Sequence, residues 1–381
     1  MGYLLLTGAT GLLGRYLMRD LLTAGVPLAV LVRRSRKKTP GARVEAAIRS
    51  WEELEGRTFE RPVVLEGDIT QPDFGLTPDQ TKWAAENCNA MLHNAASLSF
   101  VSTGRHAEPW RSNVDGTKNA IEFCRQADIR KFFQVSTAYV AGTREGRCYE
   151  HELRCGQDFA NPYEESKVEA EELVRDCKEL DQVTVFRPAI IIGDSRSGIT
   201  FTYHNYYVML ELAHKLNQQL GQEDFTGRCS SGIAFDADPG WQKNLVPVDW
   251  VSAVMSHIVT HPEHHGQTYH LTPRLPITTR LMRDVIEQVN NLYGVKFGKV
   301  SQLPENMSLA LELFHSHFDV YSSYWRCDPI YDSTNTQHAA PHLICPHVDR
   351  DMLVRLSEAA IENGFGWKDP VVDQPAKVLG A

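Results

Sequence analysis

Short, nearly continuous apolar runs punctuate the first half of the chain. They fall at YLLLTG (3–8), PLAVLVRR (27–34), PVVLEGD (62–68), AMLHNAA (90–96), KFFQVST (131–137) and VTVFRP (183–188). Amphipathic, helix-like stretches lie between them, over 12–24, 43–54, 78–87, 113–127 and 162–180. Strands that are apolar throughout are buried on both faces, as in a parallel sheet. Regular alternation with helices requires crossovers, so the pattern predicts an α/β fold with a doubly wound sheet.

The second half is less regular. NLVPVDWVSAVMSHIV (244–259) reads as a short strand feeding a helix, and TYHLTP (268–273) as a strand. TTRLMRDVIEQVNNLYG (278–294) reads as an amphipathic helix stopped at Gly294, and DRDMLVRLSEAAIENGFG (349–366) as another ending at glycine. The chain after Asp369 is expected to be loose. With no repeat and no low-complexity linker, the second half reads as a smaller cap packed on the first.

Charge narrows the partners. The 381 residues carry 39 Lys+Arg against 48 Asp+Glu, a formal net charge of −9. That balance argues against a nucleic-acid surface, although a local pocket can still be basic. No run of about eighteen apolar residues is long enough for a membrane span, and YLLLTGA lacks the basic flank of a signal peptide. The eight cysteines are scattered singly, as expected of reduced thiols in the cytoplasm. Metal-ligand spacing occurs only in HLICPH, at His342, Cys345 and His347, and no metal is expected there.

Chemistry enters at TGATGLLG (7–14), between the first strand and the first helix. Gly8 permits a tight turn, Gly11 lets a pyrophosphate approach the backbone, and Gly14 lets the helix pack close to the sheet. The helix N-terminus offers free N–H groups to phosphates. Thr7, Gly8, Thr10, Gly11, Leu12, Leu13 and Gly14 are therefore candidate cofactor residues. An NAD site ends the second strand with an acid. Here Arg33 and Arg34 stand instead, suited to a 2′-phosphate, so NADP(H) is expected over NAD(H). Asp68, beside Ile69, reads either as an acceptor for the adenine amino group or as a turn residue.

NPYEESKVEAEELV places Tyr163 and Lys167 four apart on one helix face. A lysine ammonium near a phenol favours the phenolate, which tunes the tyrosine for proton transfer. In QVSTAYVAG, Ser136 and Thr137 both stand where a hydroxyl could hold a carbonyl beside Tyr163. Asn113, in WRSNVDGTKNA, reads either as an orienter of the lysine or a water, or as an ordinary helix cap.

In order, TGATGLLG, GDIT, HNAA, NVDGTKN, QVSTAYVAG, YEESK and FRPAIIIG resemble the motifs of the extended short-chain dehydrogenase/reductases, over residues 3–195. The resemblance implies a Rossmann-type domain over 1–195, with a sheet contribution from about 240–275, and a mixed substrate-binding cap over 196–381. It implies Thr137, aligned on Gly142, as the hydroxyl partner, Tyr163 as proton donor and Lys167 as its tuner. It also implies that Asn94, Ala95 and Ala96 border the cofactor, and that Pro188, Ala189, Ile190 and Ile191 line the nicotinamide.

STAYVAG, YEESKVEAEELV, FRPAIIIGDSRSG, NLVPVDWVSAVMSHIV and TYHLTPRLPIT look like the thioester reductase and fatty acyl-CoA reductase-like branch. The implied reaction is hydride transfer from NADPH to a thioester, aldehyde or ketone carbonyl. The chain starts at its first strand, so a thioester would arrive on coenzyme A or on an acyl carrier protein in trans. A monomer or a homodimer is expected. Two other readings stand beside this one: an NAD-dependent nucleotide-sugar epimerase or dehydratase, and a non-catalytic NADP-sensing regulator. Aromatic residues at 201–216, and Phe314, Phe318, Tyr321, Tyr324 and Trp325, read as pocket wall or as core.

Overall fold

A computed structural model describes residues 2–220, 229–230, 234–235, 237–297 and 326–380. The aromatic group from Phe314 to Trp325 lies outside these. Strand and helix alternate as β1 (Tyr3–Thr7), α1 (Leu12–Thr23), β2 (Leu28–Val32), α2 (Pro40–Glu55), β3 (Val63–Glu66), α3 (Pro78–Asn87), β4 (Cys88–His93), α4 (Gly116–Gln126), β5 (Lys131–Val135), α5 (Pro162–Arg175) and β6 (Gln182–Pro188). Then follow β7 (Ile190–Ile192), α6 (Tyr206–Leu220), β8 (Leu245–Pro247), α7 (Val248–Thr260), β9 (Thr268–Leu271), α8 (Thr279–Asn290), α9 (Thr334–Ala339) and α10 (Arg350–Glu362). The main sheet has seven strands in the order β9-β6-β5-β4-β1-β2-β3. Every pairing in it is parallel.

The apolar strands have the physical consequence expected of them. Leu5, Leu6, Ala29 and Val30 are fully buried because helices cover both faces. One face packs Tyr16, Leu17, Val44, Val251 and Val254 of α1, α2 and α7. The other packs Ala84, Ala120, Phe123 and Val174 of α3, α4 and α5. A third core joins β7 and β8 to α6, α8 and α10 through Tyr206, Tyr207, Leu210, Val285 and Leu356. The second half thus supplies β9 and α7 to the sheet layers and builds a smaller body beside them.

Four expectations differ from the structure. α8 ends at Asn291, which takes the left-handed cap conformation (φ 50°, ψ 34°), rather than running to Gly294. α5 stops at Arg175, five residues short of 180. A π-helical turn, Arg111–Asp115, precedes α4. The segment after Asp369 is tied down: Leu379 N–H donates to the Val64 carbonyl at 2.9 Å, and Val378 pairs parallel with Val64. It thereby covers the open edge of β3, which would otherwise expose unpaired backbone groups.

Gly14 shows how tightly the first crossover is packed. A Cβ there would sit 2.1 Å from the Gly8 carbonyl oxygen and 2.8 Å from Ala9 Cα. Both obstacles are backbone, so neither can swing aside. Gly14→Ala should lower the free energy of unfolding by about 1–3 kcal/mol, the usual cost of overpacking. Urea denaturation checks this, and an unchanged midpoint would refute the close approach.

Candidate active site

A cleft of about 820 Å³ runs along the carboxyl ends of the central strands, where open α/β sheets bind ligands. The turn after β1 forms its floor. Gly8 holds φ +71°, and a Cβ there would meet Ala95 N at 2.8 Å. At Gly11, by contrast, only the Gly8 carbonyl oxygen lies within 4 Å of such a Cβ, at 3.5 Å. The exposed Gly11 begins α1 with no side-chain cap and no acid in the first turn. The helix N-terminus therefore faces the cleft with its N–H groups and positive dipole end, a cradle that fits a pyrophosphate.

Most of the expected residues meet here. Gly8, Thr10, Gly11, Leu12, Leu13, Arg33, Asp68, Ile69, Asn94, Ala95, Ala96, Thr137, Tyr163, Lys167, Pro188, Ala189, Ile190 and Ile191 all line the cleft. Thr7, Gly14, Arg34 and Asn113 do not, and each has a local reason. The buried Thr7 hydroxyl accepts the N–H groups of Asn94 and Ala95 and meets His93 Nδ1 at 3.0 Å, which joins β1 to the end of β4. Gly14 is spent on helix packing. Arg34 turns outward into a bidentate ion pair with Glu66, at 2.7 and 2.9 Å. Asn113 accepts from Ser97 N–H at 2.8 Å and donates to Ser97 O and Ser166 Oγ. It sits inside the π turn, so it neither caps α4 nor bonds to Lys167, whose ammonium donates to the Val135 carbonyl. Asp68 closes a turn through Thr70 N–H, at 2.9 Å, while remaining on the cleft wall.

Arg43 was not legible as a site residue. It projects from the first turn of α2, lines the cleft, and donates to Thr10 Oγ1 at 2.6 Å and to Arg33 O at 2.7 Å. Burial, then the cations of Arg33 and Arg15, lower its pKa from the ordinary value. A cation in a helix's first turn opposes the helix dipole, and that mismatch was the available signal. Phe100, Glu108, Thr202, His204 and Asn205 also line the cleft, from loops that carry no periodic pattern. The aromatic run 201–216 divides: Thr202, His204 and Asn205 reach the cleft, while Tyr206 and Tyr207 are core.

At the opposite end of the cleft, Thr137 and Tyr163 meet. The Tyr163 phenol is buried and hydrogen-bonded to Thr137. Phe100 packs edge-on against its ring, with centroids 5.9 Å apart. Burial pushes the phenol up to about 12, against a smaller lowering by Thr137. Lys167 is also buried, and its ammonium donates to the Val135 carbonyl at 2.7 Å. Burial lowers it to about 8, and the nearby Glu171 carboxylate opposes that shift. The phenol is thus governed by burial, where sequence reasoning assigned the control to Lys167. The Ser136 hydroxyl is committed to Glu171, at 2.7 Å, which leaves Thr137 as the hydroxyl beside the phenol.

Comparison with known proteins agrees with this architecture. The male sterility protein family, an NAD-binding family, matches residues 6–255. The chain is 25% identical over 377 residues to aldehyde reductase lnaA of Aspergillus flavus, covering 89% of this chain and 34% of that protein. It is 26% identical over 329 residues to the L-2-aminoadipate reductase large subunit of Penicillium chrysogenum, covering 80% of this chain and 21% of that one. It therefore spans about a third or less of these curated relatives. Among solved structures, it is similar to the terminal R domain from the myxalamid PKS-NRPS biosynthetic pathway, with TM-score 0.75, 25% identity, and 97% and 93% of the two chains covered. The strand order, the glycine turn and the match over most of the sheet domain agree: the chain belongs to the male sterility protein family, on the extended short-chain dehydrogenase/reductase fold.

Proposed function

We propose that this protein is an NADPH-dependent reductase that converts an acyl thioester, bound to coenzyme A or to an acyl carrier protein, into the aldehyde. The observation that carries this reading is the buried Tyr163 phenol, kept protonated by its surroundings and hydrogen-bonded to Thr137, with Lys167 lining the same cleft. Likeness to the myxalamid R domain supports the thioester. Likeness to lnaA supports an aldehyde as a second substrate or as product.

Gly8, Gly11 and the first turn of α1 would hold the pyrophosphate, with Asp68 and Ile69 at the adenine. Arg33 and Arg43 would take the 2′-phosphate, and no acid stands at the end of β2 to favour a free ribose. Pro188, Ala189, Ile190 and Ile191 would border the nicotinamide. The dinucleotide, when bound, supplies the hydride. Thr137 donates a hydrogen bond to the carbonyl oxygen and Tyr163 gives it a proton, so both favour the charge that develops there. Lys167 has three N–H donors and spends one on Val135 O. Its charge stabilises the phenolate left on Tyr163. Loss of the thiol from the tetrahedral adduct then yields the aldehyde.

The deciding experiment follows NADPH and NADH oxidation with acyl-CoA, acyl-carrier, aldehyde and ketone substrates. Thioester-dependent NADPH oxidation is the expected result, and oxidation with aldehydes or ketones alone would remove the thioester step. Tyr163→Phe should lower kcat by about 10²–10⁴-fold, the usual range for a positioned general acid. A smaller loss would assign the proton elsewhere. Arg43→Ala should raise the KM for NADPH at least about tenfold, the effect of one charge-assisted contact, with little change for NADH. Arg34→Ala should leave both unchanged, and the reverse pattern would move the 2′-phosphate to Arg34.

The pH profile tests Lys167. Burial disfavours its charged form, so the ammonium is present below about pH 8 and lost above it. Tyr163, pushed up to about 12, stays protonated across this range. Activity should fall as pH rises through about 8, and Lys167→Arg should remove that limb up to pH of about 10 because a guanidinium stays charged. A limb that persists in the variant would belong to another group.

A further inference from the structure

We infer that Asp369, which stands behind the cleft wall, weakens and thereby sets the grip of this protein on a 2′-phosphate. The inference rests on the NADPH reading above and adds a specificity-determining residue that touches no cofactor atom.

Asp369 begins the segment that crosses α2 and runs along the edge of β3. Beyond it, Ala376 N–H donates to the Gly41 carbonyl at 3.3 Å. The approach is so close that a Cβ on Gly41 would lie 2.1 Å from the Ala376 carbonyl oxygen. Gln80 Nε2 donates to the Leu379 carbonyl at 2.6 Å, and Leu379 N–H to the Val64 carbonyl at 2.9 Å. The Ala376–Gly41 contact seats the segment on the first turn of α2, the same turn that presents Arg43 to the cleft, and the other two fix its end against α3 and β3.

Asp369 is thereby set among cations. Its Oδ1 meets Arg15 Nη1 at 2.7 Å, and its Oδ2 meets Lys38 Nζ at 3.2 Å. Arg15 and Arg43 grip one residue from two sides: Arg15 Nε donates to Thr10 O at 3.3 Å, and Arg43 Nη2 to Thr10 Oγ1 at 2.6 Å. Arg33 joins them through its carbonyl, which accepts from Arg43 Nη1 at 2.7 Å. The charges acting on Arg43 are the cations of Arg33 and Arg15 and, with opposite sign, the carboxylate of Asp369. Of the other acids near the end of β2, Glu66 is committed to Arg34, and Asp68 accepts from Thr70 N–H and Oγ1.

The consequence is electrostatic. Arg33 and Arg43 face the cleft, and the Asp369 carboxylate, paired with Arg15 behind them, opposes the positive field at Arg43. A 2′-phosphate must therefore compete with an internal carboxylate for the same positive potential. The 5′-phosphate side draws on the backbone N–H groups of the glycine turn as well, so it depends less on this balance. A carboxylate acting only as a tether would have the opposite effect: its removal would free Lys38 and the turn that Ser35 and Lys38 close (Ser35 N–H to Lys38 O, 3.1 Å), and would loosen the site.

The test is calorimetric titration of the full chain with 2′,5′-ADP and with 5′-AMP at low ionic strength. The wild type should prefer 2′,5′-ADP. Asp369→Asn should tighten 2′,5′-ADP by about three- to tenfold, as expected for removing one screened charge at close range, and tighten 5′-AMP by less. The gain should fade at high salt. Lys38→Gln removes a half-exposed cation, is not expected to threaten folding, and should weaken 2′,5′-ADP. Weaker or unchanged 2′,5′-ADP binding in Asp369→Asn overturns the inference, as does tighter binding in Lys38→Gln. Equal affinity of the wild type for the two nucleotides overturns the NADPH reading and the inference with it. A wild-type preference that the Asn variant leaves intact overturns the inference alone.

Discussion

Glu171 is completely buried on α5, and its two oxygens accept hydrogen bonds from Ser136 at 2.7 Å, Arg175 at 2.9 Å and Arg187 at 2.7 and 3.0 Å. Burial alone would push such a carboxyl up, but the charge and hydrogen bonds of Arg187, the Arg175 charge and the Ser136 hydrogen bond together outweigh it and hold the group at about 2. Breaking a buried pair of this kind costs about 3–5 kcal/mol because the surviving charge is left without a partner. The node therefore has one stable arrangement, and that arrangement aligns α5 against the ends of β5 and β6. Glu171 lies four residues beyond Lys167 and eight beyond Tyr163, on the same helix face. Ser136 adjoins Thr137. Securing Glu171 to Ser136 thus brings the phenol, the ammonium and the Thr137 hydroxyl into one place. Arg187 continues the network to His270, at 3.2 Å, and to the Glu150 carbonyl, at 3.4 Å, which ties β9 into the same frame.

The two edges of the sheet are closed by different means. Past β3, the segment ending in Val378 and Leu379 supplies backbone partners. Past β9, side chains do so: Glu150 accepts from His270 N–H, Asn335 donates to Thr268 O, and Thr336 donates to His270 O. Both closures satisfy backbone groups that would otherwise invite pairing with another chain. Both also draw late parts of the sequence back onto the sheet. A second buried pair, Lys243–Asp328 at 2.5 Å, extends this to the cleft wall, because Asp328 also accepts from Tyr139 OH at 2.7 Å. Electrostatics at the two ends of the cleft differ in kind as a result. The end at Tyr163 is buried and balanced by Glu171. The end at Arg33 and Arg43 carries an excess of cations.

Much of this was legible in the chain itself. The apolar runs from β1 to β6 fall within a few residues of the strands observed, because a strand buried on both faces has no polar positions to disguise it. The glycine turn was legible because each glycine answers a separate steric demand: Gly8 a positive φ, Gly14 a backbone contact, and Gly11 an open face toward the cleft. Thr7 and Asn113 were recognisable as polar residues in telling places, yet they act by holding loops together. Short polar side chains make local backbone bonds in any fold, so their sequence position does not separate a scaffold role from a chemical one.

Strand positions, the glycine turn and the Tyr163–Lys167 face followed from the sequence alone, because periodicity, glycine sterics and helical spacing are local properties. Tertiary structure decided what depends on meetings between distant segments. It directed Arg34 outward to Glu66, brought Arg43 in from α2, and set burial as the dominant influence on the Tyr163 phenol. It also recruited the segment after Asp369, which carries no strand pattern, as the partner of β3 and the counter-charge of Arg15 and Lys38. The physical reason is common to all of these. Charge balance and desolvation are sums over neighbours, and the neighbours that matter here lie from about ten to more than three hundred residues apart along the chain.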